Sequence, residues 1–299
     1  MKNHKTKALR RWENTGYLYI LPWLIGFLGL QLYPLLASLY YSFTNYTMMK
    51  APTFIGLKNY IDAFTKDPYF FKSLRATFLY VLYALPGKLV VALLVAVVLN
   101  RKIRGIGLFR TAYYLPSIMG GSVAVSILWR FLFMKDGLVN NFLSFMQFQR
   151  FDWIGNPSTS LQVLALLQVW QFGSSMVLFL AGLQQIPQSL YESAEIDGAS
   201  KLRQFFRITL PMLSPIILFN LVMQMVQLFQ EFTAAFIITP DGGGLKTTYV
   251  YGMMLYQNAF QFFKMGYASA QSWILFLIII FFTFLIFRLS DGLVHYEDD

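Results

Sequence analysis

The polar residues that could do chemistry are few, and they fall in four places. A charged run at residues 191–211, YESAEIDGASKLRQFFRITLP, carries two glutamates, an aspartate and three basic residues around Gly198. Farther on, Asn220, Gln224, Gln227 and Glu231 recur at spacings of four, three and four, one face of a helix with 3.6 residues per turn, and Gln230 sits beside them. Upstream, Gln168, Gln171 and Ser175 fall on a common face with Ser174 next to it and Trp170 nearby. Lys88 stands alone inside an apolar run. Amides both donate and accept hydrogen bonds, so such stripes serve either as glue between helices or as the wall of a path for hydroxyl-bearing solutes.

Other chemistries lack their residues. Cysteine is absent, and the two histidines, His4 and His295, lie in polar tails, which excludes thiolate chemistry and leaves no imidazole for zinc or proton relay. A hydrolase working inside a membrane would need paired acids, a Ser/Lys dyad or metal ligands, and none is visible. The pattern G-x-x-x-x-G-K-[S/T] does not occur, so no P-loop cradles nucleotide phosphates in this chain.

The elements that must position these residues are written for lipid. Of the 299 residues 57% are hydrophobic and only 13% charged, far from the soluble average. A bilayer core of about 30 Å takes roughly 20 apolar helical residues. Six stretches qualify, at residues 17–42, 76–100, 111–133, 161–183, 215–239 and 268–287. They are expected to be helices, because an isolated span must satisfy its own backbone and no alternating pattern supports a barrel. The first, behind Lys5, Lys7, Arg10 and Arg11, is too long for the apolar part of a signal peptide. The basic density before it and in the turn NRKIRGIGLFR places the N-terminus inside, and six spans then put both termini and the charged run in the cytoplasm. The net charge of +10 is spread over loops without a nucleic-acid motif. Trp23, Trp129 and Trp153 are expected at the membrane interfaces.

Within the charged run, Ser189 and Glu192 have capping-box spacing and predict a helix start. Gly198 permits the positive φ of a sharp bend, Ser200 can cap a second helix, and Pro211 should close it before the fifth span. A helix resting on lipid headgroups would account for Lys201, Arg203 and Arg207 but not for the acidic first half, so docking against protein is the better account.

These residues resemble the EAA loop of permease subunits of ATP-binding-cassette (ABC) importers. That pattern, E-A-A, two residues, D-G-A, then F, I and L-P, reads here Glu192-Ser193-Ala194, Asp197-Gly198-Ala199, Phe205, Ile208 and Leu210-Pro211, with Ser193 replacing the first alanine. FIGLKNY, YYLPSI, LAGLQQIPQSLYESA and ITPDGGG look like the maltose-type branch that carries oligosaccharides, disaccharides, polyols or glycerol phosphates, except that Gly244 stands where the family usually has proline.

The resemblance implies an all-α membrane protein with six transmembrane helices, the type I ABC importer permease fold and a cytoplasmic coupling helix. Residues 1–16 would be a cytoplasmic tail, 17–290 one permease domain with its coupling loop at 184–211, and 291–299 a second tail. Glu192, Ser193, Ala194, Asp197, Gly198 and Ala199 would couple to the ATPase; Gln171, Ser174, Gln224, Gln227, Gln230, Glu231 and Lys88 would line the solute path. Implied partners are a second homologous permease, two ABC ATPase subunits that use ATP and Mg, an extracytoplasmic solute-binding protein and a carbohydrate. The chain itself would be no enzyme and bind no cofactor. Lys88 is left with three readings: a pair with Glu231, a pair with a carboxylate of the partner permease, or contact with an acidic sugar. An ion-coupled secondary transporter is the alternative, but only Glu231 answers to its coupling carboxylate and no inverted repeat is visible.

Overall fold

The computed structural model describes residues 19–101 and 104–292. The N-terminal basic cluster, both histidines and most of the C-terminal tail lie outside the described residues. Helices dominate; the only β pairings among the described residues are two isolated bridges, Thr44 with Phe54 and Thr47 with Lys50. Helices α1 (Tyr19–Ser42), α3 (Phe70–Leu99) and α14 (Met265–Ser290) are each long and apolar enough to cross a bilayer.

The other three spans are bent pairs. Helix α4 (Ile106–Ile118) and the helical stretch Val123–Phe145 meet at 95°, α7 (Ser160–Trp170) and α8 (Gly173–Gln185) at 43°, and α10 (Lys201–Met212) and α11 (Ser214–Phe229) at 65°. The second helical stretch of the first pair comprises α5 (Val123–Phe133) and α6 (Leu138–Phe145). Counting each bent pair as one span gives six, the expected number, but half of them are not the straight helices that hydropathy suggests.

The chain forms two compact units. One comprises the residues up to Lys66 together with Gln257–Ile274. In it, α2 (Lys58–Thr65) is tied to the end of α1: Asn59 Nδ2 donates to the carbonyls of Ser42 and Thr44, both at 2.9 Å, and Tyr60 Oη lies 2.8 Å from Ser42 Oγ. Gly56 takes φ +61 just before this helix, which explains the glycine of FIGLKNY. Trp273 donates to Ser38 Oγ at 3.2 Å, pinning α14 to α1 within the same unit.

The second unit, Asp67–Tyr256 with Leu275–Asp299, is organised around α3. Its buried face repeats every fourth residue, Tyr80, Ala84, Lys88, Ala92 and Ala96, none more than 4% exposed. Alanines on this line let α7, α8 and α11 approach closely, as small residues do between membrane helices. Gly173 serves the same end on α8, since a Cβ there would meet the Tyr113 carbonyl oxygen at 2.6 Å and Ser117 Oγ at 2.8 Å. Phe78, Phe229 and Phe282 form a triangle with centroids 5.3 to 5.8 Å apart, which holds the second half of α14.

Several local expectations need correction. Helix α9 (Gln188–Ile196) begins before Ser189, with extended Ile186 and Pro187 leading in and no side-chain cap, so the Ser189–Glu192 capping box does not form. Pro187 fixes its own φ and biases the residue before it away from helix, which sets the start one turn position earlier. Pro211 does not close α10: the helix runs through it to Met212 and breaks at Leu213. A wide turn at Phe205–Thr209, in which the Leu210 N–H reaches the Phe205 carbonyl, comes just before the proline and opens the helix where its ring would otherwise crowd the carbonyl four residues back. The fifth helix ends at Phe229 rather than 239, and a separate α12 (Thr233–Ile238) follows. Trp129 is no interface anchor: it is 9% exposed and donates to the Val163 carbonyl at 3.0 Å.

Gly173→Val should lower thermal stability by about 1–3 kcal/mol through overpacking against α4. Detergent-solubilised protein followed by fluorescence-detected size exclusion after heating tests this; an unchanged melting midpoint would show that α4 and α8 are not in close contact.

Candidate functional site

Two regions gather the singled-out residues. The first is the knee between α9 and α10. Gly198 takes φ +75, and the N–H groups of Gly198 and Ala199 bond back to the carbonyls of Glu195 and Ala194 at 3.0 and 2.8 Å, closing α9 in the left-handed manner that glycine permits. Nothing lies within 4 Å of where a Gly198 Cβ would be, so the demand for glycine is torsional. Ser200 Oγ then accepts from the Arg203 N–H at 3.3 Å and caps α10, as its position in the sequence predicts.

Contacts across the bend fix its angle. Lys201 is hydrogen-bonded and ion-paired to Glu195, and its N–H bond and charge hold the Glu195 carboxyl below the usual carboxylate range. Gln204 Nε2 donates to the Ala199 carbonyl at 3.2 Å, and the hydroxyls of Tyr191 and Thr209 meet at 2.8 Å. Glu192, Ser193 and Asp197 are exposed, while Ala194 and Ala199 are half-buried. The knee also exposes Ile196 at 87%, Leu202 at 69% and Phe206 at 58%. Acidic groups beside bare aliphatic and aromatic side chains make a surface suited to a protein partner rather than to anionic headgroups.

Behind this knee lies a packed support of Leu99, Phe172, Met176, Phe179, Leu183 and Leu213, all buried. Gly182 is pressed against Leu213 and Ile216, so a side chain there would push α8 off the start of α11. The knee thus stands on a rigid base.

The second region is the polar interior, and it is less of a single stripe than the sequence suggests. Because the helix ends at Phe229, Glu231 lies in the break before α12. Its carboxylate accepts from the Ala234 N–H and from Gln168 Nε2, each at 2.9 Å, capping α12 and tying it to α7. Gln227 and Gln230 are exposed, whereas Gln224 is 4% exposed and Asn220 fully buried. Neither side-chain polar atom of Asn220 finds a partner among the described residues, nor does Gln224 Oε1.

The 43° bend likewise splits the set Gln168, Gln171 and Ser175. Ser117 of α4 donates to the Gln171 carbonyl at 2.9 Å and accepts from the Ser174 N–H at 3.0 Å, replacing bonds that the broken helix forfeits. Gln171 is 6% exposed, and its Oε1 lies 3.0 Å from where a Cβ of Gly120 would sit. Trp170 packs on Trp129 with centroids 5.6 Å apart and keeps 39% of its surface exposed.

Lys88 is 4% exposed and makes no ion pair or hydrogen bond among the described residues. The Glu231 carboxylate spends its oxygens on Gln168 and Ala234. The direct Lys88–Glu231 pair is therefore not formed.

Apolar helices long enough to cross a bilayer, a bent charged knee on a packed base and a buried polar interior are the parts of a membrane transport component. The chain belongs to the family described as binding-protein-dependent transport system inner membrane components, which it matches over residues 68–296. It is 48% identical over 295 residues to the probable ABC transporter permease protein YesP of Bacillus subtilis, covering 98% of this chain and 96% of that one. It is 31% identical to the permease protein AraP of the arabinooligosaccharide transport system of the same organism, covering 92% and 88%. In fold it is similar to a chain of a bacterial ABC transporter that imports the acidic polysaccharide alginate, with a TM-score of 0.81, 22% identity and coverage of 97% and 99%.

The Glu231 links make a local prediction. Glu231→Ala removes two bonds to a charged acceptor and should cost about 1.5–3 kcal/mol. Gln168→Ala should then cost less in the Glu231→Ala background than in the wild type, read as a double-mutant cycle on melting midpoints; additive losses would mean that the two residues do not interact.

Proposed function

We propose that this chain forms half of the translocation pathway of an ATP-driven importer for an oligosaccharide or related carbohydrate. The glycine-bent knee of α9 and α10 is the observation that carries this reading: it has the spacing of an ATPase-coupling loop, and its exposed Ile196, Leu202 and Phe206 offer the apolar surface that a partner subunit would cover. In this reading residues 184–211 lie in the cytoplasm and Glu192, Ser193, Ala194, Asp197, Gly198 and Ala199 contact an ABC ATPase. Two such ATPases consume ATP and Mg, a second homologous permease completes the pathway, and a binding protein delivers solute from outside. The carbohydrate class is supported by membership of the family and by the arabinooligosaccharide permease among its relatives.

The solute wall starts with Gln227 and Gln230, which stand exposed at the end of α11. Gln224, Gln171 and Ser174 lie deeper, and Glu231 with Lys88 supplies charge behind them. Rocking of the two halves opens this wall to one side and then the other, with ATP binding and hydrolysis supplying the difference in stability between the states.

Gly198→Asp should abolish uptake in cells while leaving the assembled complex and part of its ATPase activity, because the change strains the knee without touching a solute contact. Uptake at wild-type level by that variant would remove the coupling assignment. Gln227→Ala with Gln230→Ala should lower uptake at limiting solute severalfold, with co-purification of ATPase unchanged; equal uptake would move the pathway elsewhere.

A further inference from the structure

A cavity of about 400 Å³ opens where the first turns of α3 meet the approach to α7 and the loop before helix α13 (Tyr251–Tyr256). Three cations line it, Lys72, Arg75 and Lys246, together with the hydroxyl-bearing Ser158 and Thr247, and no carboxylate does. Lys72 and Lys246 lie over tyrosine rings, at 5.7 Å from the Tyr69 centroid and 5.3 Å from that of Tyr249. Arg75 has no hydrogen bond or ion pair among the described residues. Asp67, whose charge helps raise the Tyr249 hydroxyl to about 12 behind the larger effect of burial, is not part of the lining.

The loop that brings Lys246 here is held in a costly conformation. Leu245 and Lys246 both adopt positive φ, +54 and +63, which costs a residue with a Cβ about 1–2 kcal/mol each. The ammonium is then fixed by donating to the Asp241 carbonyl at 2.7 Å. A cluster of like charges is thus built by the fold rather than left to drift apart.

What lies beside the cavity selects the ligand. Its floor includes Leu79 and Tyr83. From Tyr83 the exposed face of α3 continues as Pro86, Val90, Leu94 and Val98, at helical spacing and without a polar group. At 1.5 Å per residue this apolar track runs for roughly 20 Å, more than the half-thickness of a bilayer core. A sugar would find no hydroxyl partner along it; an acyl chain would.

We propose that this cavity binds the headgroup of an anionic phospholipid, its phosphate held by Lys72, Arg75 and Lys246 and its chains lying along the apolar face of α3. Lys and Arg bind phosphate oxygens through charge-assisted hydrogen bonds, and basic pockets between membrane helices are suited to such headgroups. The site rests on the proposed orientation, in which the start of α3 lies at the outer leaflet. It is separate from the solute wall on α11.

The test uses the assembled transporter exchanged into nanodiscs of equal phosphatidylglycerol and phosphatidylcholine, with retained lipid measured by native mass spectrometry. The wild type should retain phosphatidylglycerol in preference to phosphatidylcholine, and Lys72→Gln/Arg75→Gln/Lys246→Gln should retain at least fivefold less of it; Arg75→Gln alone, with an intermediate loss, guards against misfolding of the triple variant. Equal retention of the two lipids by the wild type, or undiminished phosphatidylglycerol in the triple variant, overturns the proposal. So does release of the bound lipid by millimolar sn-glycerol phosphate, which would make the site one for a soluble anion, or loss of the second permease from the triple variant, which would make it a subunit contact. Lipid retention is read without transport, so its failure is distinct from a failure of sugar uptake or of ATPase co-purification.

Discussion

Inside a bilayer each backbone N–H and C=O must find its partner within the protein, and three of the six spans here break that rule locally by bending. Much of what is specific about the structure follows from how those bends are mended. Ser117 serves both sides of the α7–α8 break, and Ser122 caps α5 after the sharp turn at Gly121. Ser214 donates to the Pro211 carbonyl at 2.6 Å where α10 turns into α11, and Glu231 caps α12. Polar side chains that an insertion scale counts as a cost are thus spent on backbone groups that would cost more if left bare.

This arrangement separates closely packed parts from an exposed corner. The α3 face of Tyr80, Ala84, Lys88, Ala92 and Ala96 is buried against α7, α8 and α11, and the buried cluster under the knee extends that packing to the start of α11. The knee itself is closed by short-range bonds across Gly198. The alternating access proposed above would use this combination of stiff bodies and a few defined corners.

Two of the charged residues illustrate how a broken helix changes a side chain's job. On a straight helix Glu231 would project beside Gln227 and be free to meet Lys88 or a solute. Because α11 stops at Phe229, the carboxylate turns to Ala234 and Gln168 instead, and Lys88 stays in the interior without a direct anion. A lysine held in that state keeps a strong demand for negative charge from a partner chain or a solute.

By itself the sequence determined the membrane class, the six candidate spans, and the bend at Gly198 with its Ser200 cap. These depend on composition, on apolar length and on residues a few positions apart, all of which act locally. Tertiary structure decided where the spans break, that Trp129 packs inside, that Ser117 repairs backbone from another helix, that Gln168 holds the Glu231 cap, and that Lys72, Arg75 and Lys246 share one cavity. Hydropathy sums over a window and is blind to a bend whose missing hydrogen bond is supplied by a residue 54 positions away. Only packing brings those partners within reach, and only then does a broken helix cost less than a straight one.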